Sequence, residues 1–129
     1  MARIFQAAIV LWMADRTFLR LLGWVGILGI AVASLVPGEF RPHTGISAHF
    51  EHFTAYCLTA AVLAQAYAGR VGGVTLIACL TIYAGALETA QLWIPGRHAA
   101  IFDFAFSSLG ILTGIAFITL IERIYRRKN

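Results

Sequence analysis

The 129 residues are 60% apolar and only 12% charged, with a formal net charge of +4. A soluble chain of this length carries about twice that charged share and more polar surface over its core. An ordinary soluble domain is thereby excluded, and the length leaves room for a single membrane-embedded one. The lysines and arginines sit at the ends and in the breaks of apolar runs. They form no basic stripe interleaved with aromatics, so no nucleic-acid partner is expected.

Along the chain, Ile4 to Ala14 is apolar but too short to span a bilayer, and Asp15-Arg16 interrupts it. It reads as a short N-terminal interfacial helix or an extension of the first span. Arg3 before a short apolar run also fits a signal peptide, but no small-x-small cleavage site follows. A span needs about 20 largely apolar residues. Four stretches meet that length, at about 18–36, 49–68, 73–94 and 101–121. Pro37-Gly38, Gly69-Arg70 and Pro95-Gly96 fall at the breaks, as helix-ending residues should. The fold class expected is therefore all-α, an integral membrane bundle of four transmembrane helices forming one domain. Cys57 and Cys79 lie inside apolar runs without CxxC or metal-ligand spacing, and read as small core residues.

Four spans place Arg3, Arg16, Arg20, Arg70 and the tail Arg123, Arg126, Arg127, Lys128 on one side. Only Arg41 and Arg97 fall on the other. The positive-inside rule then puts both termini in the cytoplasm. The opposite face receives Glu39, Arg41, Glu51, Asp103, Arg97 and all four histidines. Any ligand chemistry belongs on that outer side.

Helical spacing sorts those polar residues into stripes. His49, His52 and Tyr56 stand at i, i+3, i+7 on the second span, and Glu88 and Gln91 at i, i+3 on the third. Asp103, Ser107, Gly110 and Gly114 share a face of the fourth. The Gly110-x-x-x-Gly114 pair predicts close helix packing. With the third span running to Ile94, Glu88 lies roughly 10 Å below its end at 1.5 Å per residue. An intramembrane carboxylate points to function, although pairing with Arg97 or a histidine would make it structural.

Two carboxyl groups in different environments suit acid–base work, so Glu88, Asp103 and His52 are the candidate catalytic groups. Arg97 beside a glycine suits an anionic phosphate or carboxylate. With Gln91, His49, Tyr56 and Ser107 it makes the candidate ligand-binding set. His49-x-x-His52 lacks a fixed third ligand, so no metal is expected. No cofactor is expected either. Ser107 is one turn from Asp103 but has no nucleophile elbow or lysine partner.

The segments His52-Phe53-x-x-Tyr56, Glu88-x-x-Gln91-x-x-x-Pro95-Gly96-Arg97 and Asp103-x-x-x-Ser107-x-x-Gly110 resemble the signature of VanZ-like membrane proteins. The resemblance covers most of the chain from the first span onward. It implies about four transmembrane helices with this polar set toward the extracytoplasmic side, in a family linked to glycopeptide resistance. That family supplies no established reaction. Two departures stand out: Ala48-His49 replace the family's Asp-Lys, and Ser107 replaces its common Asn. Losing the lysine removes one cation, for which a protonated His49 is a partial substitute.

The function expected is binding or handling of an anionic lipid or lipid-linked envelope precursor in an outer polar pocket. Alternatives are an enzyme modifying such a lipid by acid–base chemistry, and a small proton-linked transporter or accessory subunit. Membrane lipids, a lipid-linked precursor or a glycopeptide are the partners in view, with homo-oligomer formation left open.

Overall fold

A computed structural model describes residues 15–41 and 44–128; the expected interfacial helix before Asp15, and His43, lie outside these. Four helices follow one another: α1 (Arg16–Leu35), α2 (Ala48–Ala66), α3 (Gly73–Ala90) and α4 (Ile101–Lys128). Short 3-10 turns occupy Gly38–Phe40 and Gln91–Trp93. No strand occurs among the described residues.

Local chemistry accounts for the starts and stops. Asp15 caps α1 by accepting from the Thr17 N–H at 3.0 Å, and Ser47 caps α2 by accepting from Phe50 at 3.3 Å. Val36 turns extended ahead of Pro37, which ends α1. The third helix stops at Ala90, before the expected Ile94, because the chain tightens into the 3-10 turn there. The last helix is longer than expected. Its basic tail continues the helix to Lys128, giving 28 residues or about 42 Å at 1.5 Å each.

Three helices are long and apolar enough to cross a membrane: Arg16–Leu35, Gly73–Trp93 and Ile101–Arg127. The expected fourth span, α2, does not meet that measure. His49, Glu51, His52 and Gln65 lower its hydropathy, although it has the length. It is nonetheless the most enclosed helix, with only His49, Phe50 and Leu58 exposed along its 19 residues. The apolar helices do the reverse, turning Leu21, Val25, Leu28, Val74, Ile82 and Phe117 outward. Exposed apolar faces around an inner helix with polar residues are the inverse of a soluble protein. That pattern is consistent with a membrane protein.

Contacts set the directions of the helices. Gly110 packs on Phe53 and Cys57, and Gly114 on Cys57 and Ala61, so α2 and α4 run parallel. Arg16 reaches the Ala68 carbonyl at 2.6 Å, so α1 runs against α2. The core is a column of Ile30, Tyr56, Ala60, Leu63, Leu80, Ala84, Leu87, Ile111 and Ile115. Cys57 is half-buried in the α2–α4 seam, but Cys79 is exposed on the outer side of α3 and is no core residue.

The glycine pair on α4 does what its spacing predicts. A Cβ on Gly110 would strike the Phe53 carbonyl, and one on Gly114 the Cys57 carbonyl, both backbone groups that cannot yield. Gly110→Leu or Gly114→Leu should therefore force α2 and α4 apart. We expect a loss of about 1–3 kcal/mol or more in detergent unfolding followed by circular dichroism. Unaltered stability in both variants would contradict the packing.

Candidate functional site

The ends of α1 and α3 and the starts of α2 and α4 converge on one side of the bundle. Three side chains there are committed to helix termini. The last turn of α1 leaves carbonyls without intrahelical partners. Arg97 donates through Nε to the Val36 carbonyl at 3.0 Å and through Nη2 to the Ala33 carbonyl. Gln91, buried at 3% exposure, donates through Nε2 to the Ser34 carbonyl at 3.3 Å. A guanidinium at a helix C-terminus also meets the negative end of the dipole. The loops that carry these groups touch directly. Gly38 N–H donates to the Pro95 carbonyl at 3.1 Å, and Gly96 takes φ of 72°, a conformation natural to glycine.

Glu88 works at the neighbouring terminus. Its Oε1 accepts from the Ala100 N–H at 2.6 Å, at the start of α4, where Ala100 has no side-chain oxygen of its own. The carboxylate meets the positive end of that helix dipole. Because α3 ends at Ala90, Glu88 is two residues from the helix end and half-buried, not deep in the bundle. The expected pairing of Glu88 with Arg97 or a histidine is absent among the described residues, whose ion pairs involve only Arg41, His49 and His52.

The histidines gather around Asp103. His49 Nδ1 lies 2.6 Å from Asp103 Oδ1, and His52 Nε2 lies 3.9 Å from Oδ2. On its other side, His52 Nδ1 is 3.3 Å from Ser107 Oγ. His52 thus stands between a serine and a carboxylate. The hydroxyl is only 2% exposed and sits within a continuous helix, so it is closed to a substrate and has no loop N–H groups to stabilise an oxyanion. This trio tethers α2 to α4. His49 stacks on Phe106 with ring centroids 5.2 Å apart.

Two cavities open beside these groups. One is a polar chamber of 800 Å³ that includes Gly38, Ser47, His98, Asp103, Gln91 and Arg97 in its wall. The other is a groove of 1010 Å³ between α1 and α2, walled mainly by apolar residues. Arg41, Thr44, Glu51, His52, Gln91 and Arg97 line both, so the two are continuous at their polar ends. Of the expected site residues, Arg97, Gln91, His52, Asp103 and Tyr56 border this space. Glu88, His49 and Ser107 border neither cavity. Among the described residues, no cluster has the geometry for a metal ion.

No spacing or motif singles out Arg41 and Glu51 as a pair. They meet at 2.5 Å, and Thr44 Oγ1 also donates to Glu51. Opposite charges ten residues apart across a loop are a faint signal, because no helical or strand period connects them. Arg97 differs from Arg41 in having no carboxylate within ion-pair distance among the described residues. Burial holds its guanidinium below the ordinary arginine value; Arg41 acts in the same direction, and Glu88 and Glu51 oppose it. The group remains a cation that has surrendered water without gaining a direct counter-charge.

The capping roles have a measurable consequence. Glu88→Gln keeps an acceptor for Ala100 and should be nearly neutral in thermal unfolding. Glu88→Leu, which orphans that N–H, should cost about 1–3 kcal/mol. Equal losses in the two variants would point to a requirement for charge and not for the hydrogen bond. Comparison with protein-family models, with curated proteins and with solved structures gives no match for this chain.

Proposed function

We propose that this chain is a VanZ-like envelope protein that binds an anionic membrane lipid or lipid-linked precursor, its headgroup seated in the outer chamber. One observation carries the reading: Arg97 faces a polar chamber as a half-buried cation with no carboxylate at ion-pair distance among the described residues. A phosphate or carboxylate entering beside it gains a charge-assisted hydrogen bond and supplies the missing charge. Arg41 and Gln91 add donors at the same wall. Around this end Phe40, Ile46, Leu92, Trp93, Ile101 and Phe102 are exposed, the rim of a site at the membrane surface.

In this reading α2 is the fourth span, its polar residues screened from lipid by the other helices. Both termini are then cytoplasmic, in the inner membrane of a bacterial cell. The charge distribution supports this orientation: Arg16, Arg20, Arg70, Arg123, Arg126, Arg127 and Lys128 lie at the end opposite the chamber. Reporter fusions at the two termini should both report the cytoplasm; an external signal from either end would remove the four-span topology.

Binding is preferred to turnover because Glu88, one of the three groups expected to do chemistry, has a structural partner. Glu88 caps α4, which also weakens the proton-linked transport reading that depended on it, and Ser107 is enclosed. His52 with Asp103 is the remaining acid–base pair at the chamber. Native mass spectrometry with phosphatidylglycerol and phosphatidylcholine distinguishes the outcomes. We expect the anionic lipid to be retained about tenfold better, with Arg97→Lys preserving much of that preference and Arg97→Gln losing it. Equal retention of both lipids by the wild type would refute the headgroup site. Lipid turnover that disappears in His52→Gln would replace binding by the enzyme reading.

A further inference from the structure

The polar chamber explains a headgroup but leaves the larger, apolar cavity unused. The groove runs beside α1 from Val25 to Val36, about 16 Å at 1.5 Å per residue. Half of a bilayer's hydrocarbon core is about 15 Å. The groove thus matches the depth of one leaflet, and its polar end is the one occupied by Arg41 and Arg97. Val25, Leu28 and Val32 wall it on α1, and Phe50 and Ala55 on α2. Between them Gly29 leaves a notch: a Cβ built there meets nothing within 4 Å. The contrast with Gly23 and Gly26 is direct, since a Cβ at those positions would run into Leu63 and Thr59 of α2. Those two glycines let the helices approach; Gly29 opens space where they diverge.

We propose that the groove is the seat of the hydrocarbon chain of an outer-leaflet anionic lipid, which enters sideways from the bilayer past the notch at Gly29. This rests on the headgroup reading above and adds a requirement to it. The ligand must carry a long chain, and a water-soluble headgroup alone is not held. Charge complementarity fixes which way round the lipid lies, with its anion at Arg97 and its chain toward Val25. Gly29 is then a specificity-determining residue, because any side chain there occupies the space of the chain without disturbing a contact.

Gly29→Phe tests this, since the substitution fills the groove and replaces a mid-helix glycine with a residue of higher helix propensity. Wild type and variant are compared in detergent by native mass spectrometry with phosphatidylglycerol and with its deacylated, soluble headgroup. The wild type should retain the lipid and not the headgroup. Gly29→Phe should bind the lipid at least about tenfold more weakly, the weight of roughly two buried methylenes, with its melting temperature kept. Undiminished lipid binding in a folded Gly29→Phe overturns the groove assignment while leaving the headgroup site standing. Headgroup binding as tight as lipid binding does the same. If the wild type binds no phosphatidylglycerol, the headgroup reading fails first and this inference falls with it. A second protein chain retained in place of lipid would make the groove a helix-docking face and overturn the proposal. Should Gly29→Phe not fold, Val32→Trp on the same wall carries the same expectations.

Discussion

A helix that ends in or near a bilayer leaves carbonyls that water does not reach well, and α1 ends with several of them. Arg97 and Gln91 supply the donors, from the segment that joins α3 to α4. The rest of the polar end depends on this clasp. It brings Pro95-Gly96 onto Pro37-Gly38, so the two loops at the polar end share a backbone hydrogen bond. It directs the chain so that Ala100 arrives over Glu88, which starts α4. It also draws a guanidinium partly out of water at the meeting point of two cavities.

The second determinant is the position of α2. His49, Glu51 and His52 keep it from the apolar character of the other three helices' spans, and the same residues build the polar end. Close approach at Gly110 and Gly114 brings the α4 backbone against α2, which puts Asp103 and Ser107 within reach of the two histidines. Polarity that would be costly facing lipid is satisfied inside the bundle, and the outward faces of α1, α3 and α4 stay apolar. Stability and site formation are therefore hard to separate at this end of the molecule.

Much of the fold was legible because its signals are local. Pro37, Gly69 and Pro95 marked the breaks, and the spacing of Gly110 and Gly114 announced a helix interface. The polar stripes also converge at one end, as their helical positions required. Individual roles were less legible. Glu88 looked deep because nothing in the sequence tells that α3 tightens after Ala90, and its partner is a backbone N–H that no residue type advertises. Arg97 read as a free anion clamp because carbonyl acceptors on a distant helix leave no mark on composition. His49 shares a helical face with His52 and Tyr56, yet Phe106 holds it outside the cavities. Arg41 and Glu51 escaped notice because their contact crosses an irregular loop. Residue type and period locate a site; the hydrogen bonds that decide each residue's task are tertiary.

What lies next to Arg97 in a membrane decides whether the chamber is a headgroup site. Solid-state NMR of the protein in phosphatidylglycerol bilayers can measure dipolar coupling between lipid phosphorus and the labelled Arg97 guanidinium carbon. A headgroup seated at Arg97 gives a strong coupling, characteristic of a phosphate within hydrogen-bond reach, that is lost when the bilayer lacks anionic lipid. A guanidinium carbon with no phosphorus coupling in the anionic bilayer, in a protein whose Arg97 still caps α1, would contradict that placement.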